Sequence, residues 1–310
     1  MLSRIAESLF WIGRYLERAE DTGRIVEVHQ QLLIDDPSVD SDEAAATLLA
    51  VMGSPVAPSD DTDSSEQVMA QLCWDAYSPC SIAAAIGGAR EAARRARETI
   101  STEMWEAINT SWIAVRDDRL RRMRPATAFK YVRERCAVIS GTADQTMSHD
   151  EGWHFLTLGR SLERVDMTAR MISTAAVTAG SQSAWPNVLR GCGAHHAYVR
   201  TYGGVVSDRD AVEFLLLDRL FPRSVVHTLT IAEDALARLD PGTRRAGFHD
   251  DTQRLLGTAR AALEYQRPER LLAELPQRMA ELQRTCFLVG EAITLRYFSA
   301  AAAASWQEGV

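Results

Sequence analysis

Two segments of the sequence carry arginine and glutamate in the same order and spacing, Arg-x-x-Glu-Arg. They hold Arg14, Glu17 and Arg18 in the first copy and Arg160, Glu163 and Arg164 in the second, 146 residues later. A guanidinium group is a planar fork of N–H donors that matches a carboxylate or a phosphate with two parallel hydrogen bonds. The chemistry that this pattern predicts is therefore recognition of an anionic group.

The repeated pattern allows three interpretations. Residues three and four positions apart share one face of a helix, so the charges could form ion pairs on a solvated surface, each contributing about 0.2–0.5 kcal/mol. They could instead form a buried ion network that fixes the register of two helices. In the third interpretation the two helices face each other, and four arginines held by two glutamates bind an acidic ligand or partner. The repetition of one residue order favours a defined role over a merely solvated face.

A further candidate binding site is formed by Arg223 and Ser224, in the segment Phe221-Pro222-Arg223-Ser224. Pro222 predicts a turn, and the two residues after it are expected at the start of a helix, where free backbone N–H groups attract anions. The alternative is that Ser224 is an ordinary helix cap.

Signatures of catalysis and of metal binding are weak. Glu151 and His154 have the ExxH spacing of di-iron bundles, but that architecture needs a second ExxH, which the sequence lacks. The sequence contains no G-x-S-x-G nucleophile elbow and no phosphate loop of the Walker A or G-x-G-x-x-G type. We therefore predict no metal and no cofactor, and no catalytic residue is identified.

The elements that must position these residues are helices. Apolar residues recur at spacings of three and four through most of the chain, as between Ile5 and Val26 around the first Glu-Arg copy. No segment shows the sustained alternation of a strand. The sequence predicts an all-α fold, a multi-helix bundle with two related Glu-Arg helices. These two helices are predicted from Leu2 to Ile34, capped by Ser3, and from Glu151 to about Thr178.

Capping residues and prolines predict the ends of other helices. Ser78 with Pro79 marks the start of a helix that ends near Glu98, and Asp208 is expected to cap a short apolar helix. One helix is predicted from about Trp185 to Tyr202. No linker separates independent apolar halves, so residues 1–310 are predicted to form a single domain, with a flexible acidic loop at 53–65 and a frayed tail from about 300.

Composition restricts the class of protein. The net charge of −8 argues against non-specific attraction to nucleic acid or to an anionic membrane. No uncharged apolar run is long enough to span a membrane, and the N-terminal segment is predicted to be an amphipathic helix and not a signal peptide. Five cysteines without a CxxC spacing fit a reducing compartment, so a cytoplasmic protein is predicted.

Beyond these patterns, the sequence resembles a known family. The opening from Ser3 to Glu20, the segments Glu103–Asn109 and Thr146–Arg164, and Phe221-Pro222-Arg223-Ser224 resemble the bacterial alpha-E domain proteins, named for an all-helical fold and a Glu-Arg motif. The resemblance implies a partner, a circularly permuted ATP-grasp protein, and a transglutaminase-like peptidase in the same system. Because this chain has no ATP-grasp region, the resemblance assigns ligase activity to the partner.

Three functions follow as expectations. The first is an accessory or scaffold domain that works with an ATP-grasp-type peptide ligase or modification system, binding a partner or an acidic peptide-like substrate through its Glu-Arg surfaces. The second is an amide-forming or amide-cleaving enzyme in its own right, with Glu17, Glu163 or Asp218 as acid/base groups. The third is a purely structural bundle that associates with itself as a homo-oligomer.

Overall fold

The computed structural model of the protein describes residues 1–54, 63–177, 184–241, 247 and 250–298. These residues form fourteen α-helices and two π-helical segments, and they contain no strand, which confirms the predicted all-α class. Residues 55–62 of the predicted acidic loop and the predicted frayed tail from about 300 lie outside the described residues.

The helices follow one another along the chain with mostly short connections. They are α1 (Ser3–Asp35), α2 (Ser41–Met52), α3 (Ser64–Met69), α4 (Ile82–Arg95), α5 (Thr102–Arg116), α6 (Pro125–Thr146), α7 (Glu151–Val177), α8 (Ala184–Gly191), α9 (His195–Tyr202), α10 (Asp208–Leu217), α11 (Val225–Leu239), α12 (Asp251–Glu264), α13 (Pro268–Ala273) and α14 (Leu275–Ile293). The π-helical segments Ala70–Trp74 and Thr294–Phe298 continue α3 and α14. No described helix combines the length and apolar character needed to cross a membrane.

Helices α1 and α7 carry the two Glu-Arg copies and lie at the centre of the fold. They pack against each other, α1 also packs against α4 and α6, and α7 also packs against α11 and α14. Because neighbours cover each helix on several sides, α1 buries polar residues such as Glu17 and Asp21 as well as apolar ones such as Leu9 and Ile12. The polar stripe of α1 therefore faces other helices and not bulk water.

The second half of the chain repeats the architecture of the first. Helices α1, α4, α5 and α6 pack on one another in the same pairs as α7, α11, α12 and α14. Five buried residues of α6 each have a buried counterpart in α14, 150 positions later in the chain. They are Phe129, Val132, Cys136, Ile139 and Ala143 in α6, and Met279, Leu282, Cys286, Val289 and Ile293 in α14. We refer to α1–α6 as the first half and to α7–α14 as the second half.

The two halves share one hydrophobic core. A continuous cluster of buried apolar side chains contains residues of both, among them Leu16 of α1, Leu162 of α7 and Val289 of α14. Burial of apolar surface contributes about 25 cal/mol per Å². Packing across the boundary between the halves thus stabilises both.

Several helix ends differ from the sequence prediction. Ser3 lies inside α1, and Leu2 precedes that helix without a side-chain cap. Ser81, not Ser78 with Pro79, caps α4 by accepting a hydrogen bond from the Ala84 N–H. The α4 prediction was wrong because Ser78 and Ser81 are both chemically suited to capping, and tertiary packing selects between them.

Two other boundaries were also wrongly predicted. Ser207, not Asp208, caps α10, because its hydroxyl accepts the Asp210 N–H. The helix predicted from Trp185 to Tyr202 is divided into α8 and α9. Gly193 lies between them with φ of 64°, a left-handed conformation that ends an α-helix and that glycine adopts without strain.

Candidate binding site at the helix crossing

Helices α1 and α7 approach each other most closely at two equivalent glycines. A Cβ atom on Gly13 would overlap the carbonyl oxygen of Leu156, and a Cβ atom on Gly159 would overlap the carbonyl oxygen of Phe10. These contacts are reciprocal, because Gly159 lies 146 positions after Gly13, and Leu156 lies 146 positions after Phe10. Only glycine lets the two helix backbones touch at this point.

This close approach brings the two Glu-Arg copies together. Glu163 accepts hydrogen bonds from Nε of Arg14 at 2.6 Å and from Nε of Arg18 at 2.5 Å. Glu17 accepts two parallel bonds from Arg164, at 2.6 and 2.7 Å. Each glutamate is therefore held by arginines of the other helix, the reciprocal arrangement expected of two units related by an approximate two-fold axis.

Burial and charge determine the ionisation of the two glutamates. Their side chains are only 3% and 1% exposed, for Glu17 and Glu163 respectively. Burial raises the pKa of Glu17, but Arg164 and Arg223 outweigh it and hold that pKa at about 2. Burial also raises the pKa of Glu163, but Arg14 and Arg18 outweigh it, so that this pKa is about 2 as well. Both side chains are carboxylates at neutral pH.

Arg223 extends this arrangement from the second half. Its guanidinium contacts Glu17 at 3.0 Å and Glu20 at 3.2 Å, and it donates a hydrogen bond to Asp21. Burial raises the pKa of Asp21 to about 7; Arg223 opposes this shift, while the carboxylates of Glu17 and Glu20 add to it. We call Arg14, Glu17, Arg18, Asp21, Glu163, Arg164 and Arg223 the ion network.

The network departs from two-fold symmetry at one ion pair. The positions equivalent to Asp21 and Arg223 hold Met167 in α7 and Cys80 in the turn before α4. Cys80 donates its S–H to the Met52 carbonyl at 3.0 Å, and burial raises the pKa of its thiol. The extra buried ion pair therefore exists on one side of the crossing alone.

Arg160 is less closely bound than the other predicted arginines. Its guanidinium lies 3.7 Å from Asp144, which is a loose ion pair, and its charge acts on Glu17. The structure thus brings the seven predicted charged residues to one crossing. Ser224 lies next to Arg223 and is the cap of α11, because its hydroxyl accepts the His227 N–H at 3.2 Å.

Two equivalent turns flank the network. Arg18 donates to the Pro79 carbonyl and Arg164 donates to the Pro222 carbonyl, both at 3.3 Å. Each turn then ends in a capping serine, Ser81 before α4 and Ser224 before α11. The duplication therefore includes the turns as well as the helices.

At the crossing, the arginine side chains are partly exposed to solvent, whereas the glutamate side chains are buried. The side chains of Arg14, Arg18, Arg160 and Arg164 keep between 14% and 21% of their surface in solvent, while the two glutamates beneath are almost fully covered. Tyr77 and Leu220, at equivalent positions of the two turns, are largely exposed. Each of these two side chains lies two residues before a proline whose carbonyl accepts a hydrogen bond from Arg18 or Arg164.

The geometry gives no support to the acid/base roles considered for Glu17, Glu163 and Asp218. The two glutamate side chains are carboxylates that already accept hydrogen bonds from arginines. Asp218 accepts the backbone N–H groups of Leu220 and Phe221 at 2.8 and 2.7 Å, so its carboxylate stabilises the turn.

The ExxH pair has separate roles in the described structure. Glu151 binds the N-terminal amine of Met1 at 3.0 Å, and burial lowers the pKa of His154. Within the described ranges, no group of three or more histidine, cysteine or acidic side chains is placed to hold a metal ion.

Sequence reasoning missed part of the network. Asp21 and Glu20 were not singled out as site residues, although both contact Arg223. The glycine pair was visible as a match between the copies, Gly13 and Gly159, and glycine inside a long helix at matched positions is a signal of close backbone approach.

Comparison with known proteins identifies the chain at the level of a family. The Alpha-E family model, described as a predicted alpha-helical domain with a conserved ER motif, matches residues 1–298. An uncharacterised protein of Mycobacterium bovis and another of Mycobacterium tuberculosis are each 27% identical over 252 residues, which cover 73% of this chain and 28% of the relative. The chain therefore spans under a third of the curated relatives it matches. No solved structure matches it.

Proposed function

This chain belongs to the Alpha-E family, and we propose that it is an accessory or scaffold domain of an ATP-grasp-type peptide ligase or modification system. It binds a partner or an acidic peptide-like substrate at the crossing of α1 and α7. The proposed partner is a circularly permuted ATP-grasp protein, and a transglutaminase-like peptidase acts in the same cytoplasmic system. Ligase activity belongs to the partner.

The observation that carries this proposal is the outward face of the ion network. The side chains of Arg14, Arg18, Arg160 and Arg164 are 14–21% exposed, whereas those of Glu17 and Glu163 are only 3% and 1% exposed. A buried carboxylate fixes the position of each guanidinium, so less side-chain entropy is lost when an anionic group binds. The face is thus organised in advance for a carboxylate-bearing partner, in a chain whose net charge is otherwise −8.

A second observation supports an accessory role. The matched segment makes up 28% of the mycobacterial relatives, so in those proteins this helical region is joined to a much longer remainder. A domain that works beside another catalytic unit fits this arrangement. The buried, arginine-bound state of the two glutamates also favours a binding role over catalysis by this chain.

Co-purification with the ATP-grasp protein tests the proposal. We expect a stable complex and a change in the ATP turnover of that protein when this chain is added. Failure to form a complex, together with unchanged turnover, would rule out the proposed function.

The Arg160→Gln variant tests whether the crossing is the surface involved. Arg160 makes only a loose ion pair, so its replacement leaves the buried hydrogen bonds of the network in place. We expect complex formation to weaken by roughly threefold to tenfold, the effect of one interface charge. The control is Arg209→Gln, because Arg209 forms an exposed ion pair with Glu269 in another part of the fold. Equal behaviour of the two variants would contradict this location.

A further inference from the structure

The two buried glutamates of the crossing have different arginine partners. Glu163 accepts hydrogen bonds from both arginines of the first Glu-Arg copy. A perfect two-fold axis would give Glu17 both arginines of the second copy, Arg160 and Arg164. Arg164 does bind Glu17, but the second guanidinium beside this carboxylate is that of Arg223, at 3.0 Å. Arg160 is therefore displaced from the position that its counterpart holds.

The displacement has a cause in the residues that anchor Arg223. This arginine lies 3.2 Å from Glu20 and donates a hydrogen bond to Asp21, so three carboxylates hold it beside α1. On the other side of the crossing the equivalent positions hold Cys80 and Met167, which supply no competing charge. The break in symmetry thus occupies one glutamate with an arginine from outside the repeat, and it releases one arginine of the second copy.

The released guanidinium of Arg160 has donors that solvent reaches. It pairs with Asp144 at 3.7 Å, which is longer than a hydrogen bond. Among the described residues none accepts a hydrogen bond from Arg160, and none of its three nitrogens is buried without a partner, so each keeps contact with solvent. Arg18 and Arg164 have similar exposure, but each donates from all three nitrogens. Arg160 can therefore offer two parallel N–H groups to a new anion.

The charge of Arg160 also lacks a buried counterpart. The largely buried carboxylates on this side of the crossing are equal in number to the arginines that pair with them. They are Glu17, Glu20 and Asp21, and Arg24, Arg164 and Arg223. Asp144 compensates Arg160 weakly, because its side chain is 41% exposed and exposed ion pairs are weak. One positive charge is thus available to an anion from outside the chain.

A carboxylate fits this position better than a phosphate. A guanidinium fork matches both groups in shape, but a phosphate monoester carries a charge of about −1.5 to −2 at neutral pH and is normally held by several arginines. The carboxylates of Asp144 and Glu17 both act on Arg160, so they repel a dianion more strongly than a monoanion. An aspartate or glutamate side chain carries the single charge that suits this site.

We propose that Arg160 binds one carboxylate side chain of an acidic peptide segment, through two parallel hydrogen bonds. The crossing then has a single anion subsite, on the side of Glu17, although its Glu-Arg residues are present twice. The assignment deepens the proposed function and rests on it for the peptide nature of the ligand. Arg223 is a positioning residue of this subsite, because it keeps Glu17 occupied and leaves Arg160 available.

A peptide titration followed by NMR tests the subsite directly. The full chain is labelled with ¹⁵N in arginine, and the Nε–H signal of Arg160 is the one that Arg160→Lys lacks. The probe is the blocked peptide acetyl-Gly-Glu-Gly-amide, and its matched control is acetyl-Gly-Gln-Gly-amide at equal ionic strength. We expect the Arg160 signal to shift with the glutamate peptide alone, with a dissociation constant of about 10 mM for one charge-assisted contact.

Removal of the loose partner is expected to strengthen the subsite. Asp144→Asn takes away the carboxylate that competes for Arg160 and leaves the buried hydrogen bonds in place, so affinity for the glutamate peptide should rise by about twofold to fivefold. Asp117→Asn is the control, because Asp117 forms an exposed ion pair with Arg116 at 2.7 Å, and its effect should stay within about 1.5-fold. An unchanged or lower affinity in Asp144→Asn would contradict the subsite.

A double variant tests why Arg160 is available. Asp21→Met combined with Arg223→Cys copies the other side of the crossing and removes one acid and one base together. Glu17 can then accept from Arg160, so we expect the peptide affinity to fall by at least about fivefold. Circular dichroism establishes whether this variant folds, and the surface variant Asp144→Asn decides the question if it does not.

Three results would overturn the subsite. They are equal shifts of the Arg160 signal with the glutamine peptide, tighter binding of acetyl-Gly-phosphoserine-Gly-amide than of the glutamate peptide, and full affinity in the folded double variant. These outcomes are distinct from failure of the proposed function. A complex with the ATP-grasp protein, without any peptide response at Arg160, would overturn the subsite alone. A peptide response without a complex would overturn the accessory role alone.

Discussion

Glu17 and Glu163 exchange their partners across the crossing of α1 and α7: Arg164 binds Glu17, and Arg14 and Arg18 bind Glu163. The ion network therefore joins the two halves of the chain and does not merely stabilise each helix. Its buried position excludes the interpretation of the Glu-Arg stripe as a solvated face. Structural and binding roles are compatible, because the carboxylates are buried while the arginine side chains keep part of their surface in solvent.

Removal of one buried charge is expected to destabilise the fold strongly. Glu163→Gln leaves Arg14 and Arg18 without a counter-charge in a largely buried site, so we expect a loss of about 3 kcal/mol in the free energy of unfolding. The measurement is urea denaturation followed by circular dichroism. Glu91→Gln is the control, because Glu91 pairs with Arg94 on an exposed surface, and there the expected loss is below about 1 kcal/mol. Similar losses in both variants would show that the network adds no special stability.

A methyl group at the crossing is expected to push α1 and α7 apart. Gly13→Ala and Gly159→Ala each place Cβ into a backbone carbonyl of the facing helix, so we expect a loss of about 2 kcal/mol or more for each variant. Gly141→Ala is the control: a Cβ at this helical position meets no atom within 4 Å, and alanine should stabilise the helix by about 0.5–1 kcal/mol. Thermal melts of the three variants measure the contrast, and a stabilising Gly13→Ala would contradict the close backbone contact.

Acid is expected to weaken the network in a defined pH range. The pKa values of Glu17 and Glu163 fall from 4.5 to about 2 in the folded protein. A lowered carboxyl pKa contributes stability that is complete above pH 4.5 and is lost as pH falls toward 2. Urea titrations between pH 5 and pH 2 measure this loss. The decline should be reduced in Glu163→Gln, and an equally steep decline in that variant would contradict the assignment.

Asp21 is expected to produce a pH dependence of the opposite sign. Its pKa rises from 3.8 to about 7, so the folded state binds a proton more tightly than the unfolded chain does. The resulting stability is complete below pH 3.8 and is lost as pH rises through 7. Asn has no proton to lose, so Asp21→Asn should remove this decline between pH 4 and pH 8. An unchanged pH profile of stability in this variant would show that Asp21 does not titrate in that range.

The two helix caps provide a test of the duplication. Ser81 and Ser224 occupy equivalent turns, accept equivalent backbone N–H groups, and donate to the carbonyls of Asp75 and Asp218. Ser81→Ala and Ser224→Ala are therefore expected to cost about 1–2 kcal/mol each, with nearly equal values. Denaturation of the single variants and of the double variant measures both costs and their additivity. Costs that differ by several kcal/mol would mean that the two turns are not equivalent.

The sequence alone predicts the helical class, one helix start and the Glu-Arg pattern. Helical periodicity predicted the all-α class, and Ser224 was placed at the start of a helix. Arginine and glutamate at matched positions predicted an ion network between two helices as one of three interpretations. The first two predictions depend on neighbours within a few positions along the chain, and the third depends on the repetition of one residue order 146 positions later.

The remaining features depend on contacts between distant segments. Within α1, Arg14 and Arg18 are the sequence neighbours of Glu17, yet Glu17 binds Arg164 and Arg223, because the crossing places those guanidinium groups nearest to it. The burial of Asp21 has the same origin, since the side chain that contacts it, Arg223, lies 202 residues away in the chain. Helix caps were missed where several capping residues compete near one end.

The exchange of partners also indicates how such a chain can be built. Each half supplies one glutamate and the arginines that the other half needs, so a single unit of about half this length would leave its buried charges unmatched. Two separate copies of that unit, related by a two-fold axis, would satisfy one another. The protein therefore has the architecture of a two-fold pair of units within one chain, and the Asp21–Arg223 ion pair, absent from the equivalent positions Met167 and Cys80, is where that symmetry is broken.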